Sequence, residues 1–517
     1  MRITFLGHVG MYVETVHGSV LCDPWFTPAY FGSWFPFPRN DHLDVAPFCD
    51  PDFLYISHLH RDHFDPEWLA AHVNRRATVL LPDFAVPYQR DALRELGFEG
   101  FVTCPHGQRL DLDGLEVSIL ALNAPADGPL GDSAIAIGDG RTRILNQNDA
   151  RPGSAAELIG LGPFDAQFVQ FSGAIWYPVA YDFAPDEKAK LARDKRNNQM
   201  DRARQYVEWV DAPHVFPCAG PPAFLDDDLF ALNDLDDDDT NIFPDQTVFI
   251  GELADHGRST AHIVVPGSVI ELDGPACSIT HPDDAAISEP FADKRRYLER
   301  YRDEWRPWLD AERASWSRHR IDLVVALRDW FEPLLERAPI TSSGVGGTVV
   351  LRTQDEAVAI DFVDRAVRRW QGEPAVYRVD VDRRLLEACV ERHVEDWVNA
   401  LFLSARFTAH RDGPFNEYVM TFFKSLSSDR IDHVERCYAA RRGDADEWIE
   451  RDGWRIERYC PHRQADLAEF GEVDAGVLRC ALHHWEFDLE TGRCLTSDDR
   501  TLRCARLDVP AGSGPPR

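Results

Sequence analysis

No stretch of the chain approaches the roughly 18 uninterrupted apolar residues that a membrane-spanning helix needs, which argues against a helical membrane anchor. The opening residues, MRITFLGHVGMYVET, lack the long apolar core and small-residue cleavage site of a secretory leader, so a cytoplasmic protein is expected. Basic residues are scarce: 55 Lys and Arg stand against 87 Asp and Glu, a formal charge of -32. A chain so acidic is a poor partner for phosphate backbones and anionic lipid, so neither nucleic acid nor a membrane surface is an expected ligand. Cysteine is neither dense nor even in number. Eleven are scattered along the sequence, which excludes a disulfide framework and leaves metal ligation as the special use of any one of them. Repeats are absent, and the low-complexity patches are acidic, Asp226 to Asp228 and Asp236 to Asp239.

What is present suggests an α/β multidomain protein, because 517 residues exceed what one hydrophobic core sustains. Residues 1–275 alternate short apolar runs (RITFLG, DFLYISH, ATVLLP, LEVSILAL, RILNQND, AQFVQFSG) with turns and a few helical stretches, the rhythm of a sheet-rich α/β domain. In residues 276–430, charged segments with Trp, Leu and Phe at helical intervals predict two or three amphipathic helices, and a small α+β unit without evident chemistry follows. Residues 431–517 read as short strands and tight turns around paired Cys and His.

Those pairs are the strongest signal. Cys460-Pro-His462 is followed after 17 residues by Cys480-Ala-Leu-His483, two loops that each offer one thiolate and one imidazole. A Rieske [2Fe-2S] centre needs this mixture, since both thiolates bind one iron and both imidazoles the other. Zinc fingers instead pair like ligands with like. The surrounding 80 residues resemble the Rieske domains of bacterial oxygenases and their ferredoxins. Neither loop carries the further cysteine of the respiratory class, so the resemblance is to the oxygenase-feeding, low-potential one. His484 stands where many members have Gly, and a solvent-facing side chain is expected there.

A second constellation follows the apolar run FLYIS: His58-Leu-His60-Arg-Asp62-His63. Leaving a strand end, such a run can direct His58 and His60 at one metal and Asp62 and His63 at a neighbouring position. It resembles the signature of the metallo-β-lactamase superfamily, which implies an αββα sandwich with metal at the sheet edges. Asp149 falls where that superfamily places a bridging aspartate. No histidine occurs between His106 and His214, so the superfamily's full ligand set is incomplete and a single metal at two histidines plus Asp149 is expected. His106 and Asp226 are candidate replacements for the missing ligands.

The runs DPWFTPAYFGSWF, ISHLHRDHF, ILNQNDARP, FSGAIWYP and FNEYVMTFFKSLS resemble the CMP-N-acetylneuraminate monooxygenase family, here with the Rieske domain at the C-terminus. The resemblance implies a metallo-β-lactamase-like domain, a middle helical and α+β region, and an all-β Rieske domain. It also implies a Rieske-dependent oxygenase in which non-haem iron and O2 act on a small molecule such as an amine, amino acid or nucleotide sugar. Electrons would come from NAD(P)H through a ferredoxin or flavin reductase, and a homo-oligomer would fit. Trp25, Ser172 and Tyr177 are candidate pocket residues, although the aromatic run at Trp25 suits hairpin packing equally. The alternative is a zinc-dependent hydrolase, of lactonase or phosphodiesterase type, with a regulatory Rieske domain.

Overall fold

The computed structural model describes residues 1–507 apart from 124–129, 174, 237, 259, 317–318, 442–446, 463–464, 482–483 and 497–499. His483 therefore lies outside the described residues.

Strands β1 (Arg2–Gly7), β2 (Gly10–Thr15), β3 (Gly18–Cys22), β4 (Phe53–Tyr55), β5 (Thr78–Pro82) and β6 (Phe101–Cys104) lie in one sheet. Strands β7 (Arg109–Leu112), β8 (Leu115–Leu122), β9 (Asp132–Gly138), β10 (Arg143–Asn148), β11 (Ala166–Gln170) and β12 (His214–Cys218) form a second, and β13 (Val269–Asp273) with β14 (Ala276–Thr280) returns to the first. The first sheet has the order β14-β13-β1-β2-β3-β4-β5-β6 and the second β12-β11-β10-β9-β8-β7. Their inner faces meet in one core, with Ile3, Phe5, Val20 and Tyr55 against Ile119, Ile135, Ile144 and Phe168. Each outer face is covered by helices, as strands apolar on both faces require. Helices α1 (Pro66–His72) and α2 (Tyr88–Glu95) bury Trp68, Leu69 and Leu93 on the first sheet. Helices α3 (Ala155–Leu161), α4 (Pro185–Val210) and α5 (Gln246–Asp255) bury Leu158, Ala203, Tyr206 and Phe249 on the second. The result is the four-layer αββα sandwich.

Three helices follow, as the amphipathic spacing predicts: α6 (Asp284–Ala292), α7 (Lys294–Ser315) and α8 (Leu323–Arg337), then the shorter α9 (Pro339–Val345). A five-stranded sheet comprises β15 (Thr348–Arg352), β16 (Ala357–Asp361), β17 (Ala366–Arg369), β18 (Tyr377–Val381) and β19 (Phe407–Arg411). It packs with α8, α10 (Arg383–Glu391), α11 (Glu417–Lys424) and α12 (Ser428–Arg441) around a core rich in aromatics, among them Phe331, Trp397, Phe422 and Phe423. The C-terminal part is β-rich, with sheets β20 (Trp448–Arg451), β21 (Trp454–Glu457), β25 (Cys504–Arg506) and β22 (Gly471–Asp474), β23 (Val477–Cys480), β24 (Trp485–Asp488), and one short helix, α13 (Leu467–Phe470). Its apolar residues continue the core beneath α4, where Trp209 meets Phe470 edge-on at 5.0 Å.

Candidate metal centre and redox site

The strand ends of the sandwich converge on two groups of three. His58, His60 and Asp149 place one ligand atom each within 4.8 Å of one another, and so do His8, Asp62 and His63. Both are 2-His-1-carboxylate sets. His58 and His60 leave the end of β4. Asp149 follows β10, where a bulge at Asn146–Asn148 and the left-handed backbone of Asn148 (φ 42°) turn the chain into the site. His8 occupies the turn between β1 and β2, itself left-handed at φ 55°. Its Nε2 is 3.2 Å from Asp62 Oδ2, and His63 Nε2 is 3.6 Å from Asp149 Oδ2, so the two groups abut.

A second layer of bonds fixes each ligand. Asp23, fully buried at the end of β3, accepts from the Ser57 hydroxyl at 2.6 Å and from His63 Nδ1 at 2.9 Å. Ser57 Oγ in turn accepts from His58 Nδ1 at 2.9 Å. Nδ1 of both imidazoles thereby carries a proton, and Nε2 is turned to the site. The Tyr30 hydroxyl donates to Asp62 Oδ1 at 2.5 Å, and Gln170 Nε2 donates to Asp149 Oδ1 at 2.6 Å, leaving Oδ2 of each carboxylate to the site. Nε2 of His8, His58 and His63 is buried without a hydrogen bond. Each such orphan costs about 1–3 kcal/mol unless something binds it, so the donor set fits a pair of metal ions. The electrostatics divide the histidines. Burial pushes His58 and His60 below the ordinary histidine range. Burial opposes charge on His63 too, but Asp149, Asp62 and Asp23 outweigh it and hold that imidazole well above the ordinary range.

The C-terminal residues that match the cluster motif are similarly prepared. Cys460 and Cys480 are fully buried. The His462 ring stacks on Trp485 at 3.9 Å and 8°, and its Nε2 lies 3.8 Å from Glu417 Oε2. Two buried sulfurs beside an oriented imidazole suit a Rieske cluster. Glu417 belongs to α11, so the middle region expected to lack chemistry touches this loop. His484 also departs from expectation. It is not solvent-facing: its Nδ1 is 2.9 Å from Arg479, which bonds Asn198 of α4 at 2.5 Å, and burial with Arg202 and Arg479 nearby pushes it down to about 2. Its left-handed backbone (φ 58°) explains why Gly is suited to this position.

A cavity of about 610 Å³ runs from the triads to the C-terminal domain. His58, His60, Asp62 and Asp149 line it from the sandwich, Val398, Asn399 and Leu403 from the middle region, and Arg458, Tyr459 and Asp466 from the C-terminal domain. Backbone bonds reinforce this closure, with Asp466 N donating to Gly153 O at 3.2 Å. Tyr30, Trp34, Trp176, Lys195 and Gln199 also line the cavity.

Several expected residues are elsewhere. Trp25 is buried edge-on to His8 at 5.1 Å and bonds Thr27, Ser172 is enclosed against Gly220, and Tyr177 packs with Tyr181 and Phe183. None of the three lines the cavity; Tyr30, Trp34 and Trp176, from the same two segments, do. Asp226 is no replacement ligand, because Arg313 and Arg406 take both its oxygens. His106 does line the cavity, but its Nδ1 pairs with the Ala121 backbone and its Nε2 faces Glu157 at 3.9 Å, outside both triads. The ligand that completes the second group is His8, missed because it lies fifty residues before the motif. Its signal was a histidine between glycines at the end of the first strand.

The fold and site thus define a Rieske-type iron-sulfur protein built on an αββα sandwich. The model of the Rieske [2Fe-2S] domain matches residues 450–505, and that of the Rv3818-like, SCP2-like domain matches residues 323–440. A protein of Mycolicibacterium smegmatis, named as a Rieske 2Fe-2S iron-sulfur protein, is 43% identical over 98% of this chain and 100% of its own length, and the chain belongs to that family. The cytidine monophosphate-N-acetylneuraminic acid hydroxylase of Pongo pygmaeus is 26% identical over 43% of this chain and 38% of its own. Among solved structures, CmlA, a diiron β-hydroxylase from Streptomyces venezuelae, is similar at a TM-score of 0.35 and 19% identity, covering 52% of this chain and 54% of that one.

Proposed function

We propose that the chain is a Rieske-dependent non-haem iron oxygenase that uses O2 and externally supplied electrons to hydroxylate or N-oxygenate a small metabolite. The observation that carries this reading is the pair of 2-His-1-carboxylate triads beside a cavity whose wall includes the Rieske domain. In this reading His58, His60 and Asp149 hold one iron and His8, Asp62 and His63 the other. Cys460, His462, Cys480 and His483 hold the cluster. Bound iron supplies O2 activation and the cluster supplies single electrons. The likeness of part of the chain to a hydroxylase of a nucleotide sugar supports the reaction class.

The chain's own residues do the rest. Asp23 and Ser57 orient His63 and His58, and Tyr30 and Gln170 orient the carboxylates. Trp34, Trp176 and Leu403 give the cavity an apolar wall, while Lys195 and Gln199 of α4 give it a polar one. A volume near 610 Å³ suits a metabolite the size of an amino acid or nucleotide sugar. A ferredoxin or flavin reductase drawing on NAD(P)H would supply the electrons.

Metal analysis and electron paramagnetic resonance of the anaerobically purified, dithionite-reduced chain test the proposal. Iron beyond the cluster's own, a Rieske signal, and loss of product but not of that signal in His58→Ala are expected. Zinc in the triads with turnover indifferent to reductant would make the protein a hydrolase instead.

A further inference from the structure

A third metal-ligating group lies at the other end of the sandwich. His214, His262 and Cys277 bring two imidazole nitrogens and a thiol within 4.8 Å of one another, each residue half-buried. They come from elements far apart in sequence. His214 opens β12, the edge strand of the second sheet, and His262 follows the bridge Val215↔Ala261 that extends that edge. Cys277 lies on β14, the edge of the first sheet, opposite Leu272. Since β10, β11 and β12 run parallel, His214 is level with Ala166 and Ile144, at the strand starts, whereas Asp149 follows the strand end. The group is therefore remote from the triads by the length of a strand.

The hydrogen bonds prepare it for a cation. His214 Nε2 is 2.9 Å from Pro275 O. A carbonyl only accepts, so Nε2 carries the proton and Nδ1 presents its lone pair. A backbone carbonyl fixing the tautomer in this way is the usual support of a metal-bound imidazole. His214 Nδ1 faces His262 Nε2 at 3.0 Å. The His262 backbone is pinned by its N–H to Val215 O at 2.9 Å, and the turn bearing Pro275 by Gly274 N to Thr142 Oγ1 at 2.9 Å. The backbones on both sides are thus fixed, with the three ligand atoms within 4.8 Å of one another.

We propose that His214, His262 and Cys277 form a transition-metal site that takes a borderline divalent ion such as zinc, clasping the edges of the two sheets. Two imidazoles and one thiolate favour zinc over magnesium or calcium, and a water completes four-coordination. Binding moves two protons. The Cys277 thiol loses its proton to solvent on forming the metal–sulfur bond, and His262 shifts its proton from Nε2 to Nδ1 so that Nε2 can donate. No electron is transferred.

The test uses the full chain with its Rieske cluster loaded, and the metals zinc and cobalt(II) alone as probes. Stoichiometric zinc should protect Cys277 from alkylation, read by peptide mass spectrometry against the other ten cysteines, and should raise the Tm. Cobalt(II) should give a sulfur-to-metal charge-transfer band in the difference spectrum that is lost in Cys277→Ser. The triads contain no sulfur and cannot give that band. An unprotected Cys277 with no band overturns the proposal, as does a band that survives in Cys277→Ser, which would place the thiolate elsewhere. The alkylation arm needs no variant, so a Cys277→Ser chain that fails to fold leaves the test intact.

Discussion

Replacing His8 by Asn tests whether the second triad is a metal site. The left-handed backbone at position 8 tolerates Asn better than most residues, so the turn between β1 and β2 is kept. Asn is too short to restore the imidazole nitrogen 3.2 Å from Asp62 Oδ2. The substitution removes two edge-on ring contacts, with Trp25 at 5.1 Å and His63 at 5.3 Å, each worth about 0.5–1.5 kcal/mol. A loss of about 1–3 kcal/mol in the apo protein leaves a domain of ordinary stability, about 5–15 kcal/mol, folded. For the metal the effect is larger in proportion. Losing a mere hydrogen-bond partner of a ligand weakens binding about 10–100-fold, and losing one of three protein ligands exceeds that. After dialysis against a graded chelator, His8→Asn should release one of the paired ions at a concentration where wild type keeps both. The ion at His58, His60 and Asp149 and the Rieske resonance signal should persist. Unchanged metal content at every chelator concentration would refute the assignment of His8.

Three further outcomes follow from the same geometry. Asp23→Asn frees both His58 and His63 to rotate or change tautomer, and should weaken metal binding about 10–100-fold, read by competition with a chromophoric chelator, with the Rieske spectrum unchanged. Glu417→Gln removes a buried carboxylate 3.8 Å from His462 Nε2 and should raise the cluster's reduction potential by roughly 50–100 mV in a spectroelectrochemical titration, since one charge near a redox centre is worth on the order of 1–2 kcal/mol at an effective dielectric of about 20. Asp226→Asn leaves the buried Arg406 without its carboxylate and should destabilise the chain by about 3–5 kcal/mol in urea. Burial works against ionising Asp226, yet Arg313 and Arg406 hold its carboxyl below the usual range, so the wild-type advantage should be complete above about pH 4 and fade as pH falls through the lowered value.

The sequence displayed one half of the candidate metal centre openly. His58, His60, Asp62 and His63 sit in six residues because one strand end delivers them all, and Asp149 could be found from a sheet-rich rhythm and a resemblance. His8 and Asp23 were hidden by topology. β1 and β3 reach the site only because the chain's first sheet aligns their ends with that of β4, and the pairing Cys22↔Tyr55 that brings Asp23 to Ser57 is not a spacing that can be counted. Trp25 failed for a local reason: its indole packs edge-on to His8 and donates to the Thr27 carbonyl, while Trp34 of the same run reaches the cavity. The misreading of Asp226 has a different origin, since an acidic run looks solvated until the arginines of α7 and of the turn before β19 arrive from 87 and 180 residues away.

The wall shared by the triads, α11 and the Rieske domain also bears on how such a protein behaves when diluted. Where donor and acceptor modules are separate proteins, each must find the other, and throughput falls with the product of their concentrations. Here covalent linkage and a packed interface set the local concentration of one module about the other at millimolar order or above, whatever the amount of protein present. If the proposed function holds, an outside reductase is the one collisional partner, so a dilution series should slow the chain in first order in reductase and leave the step between its own two halves untouched.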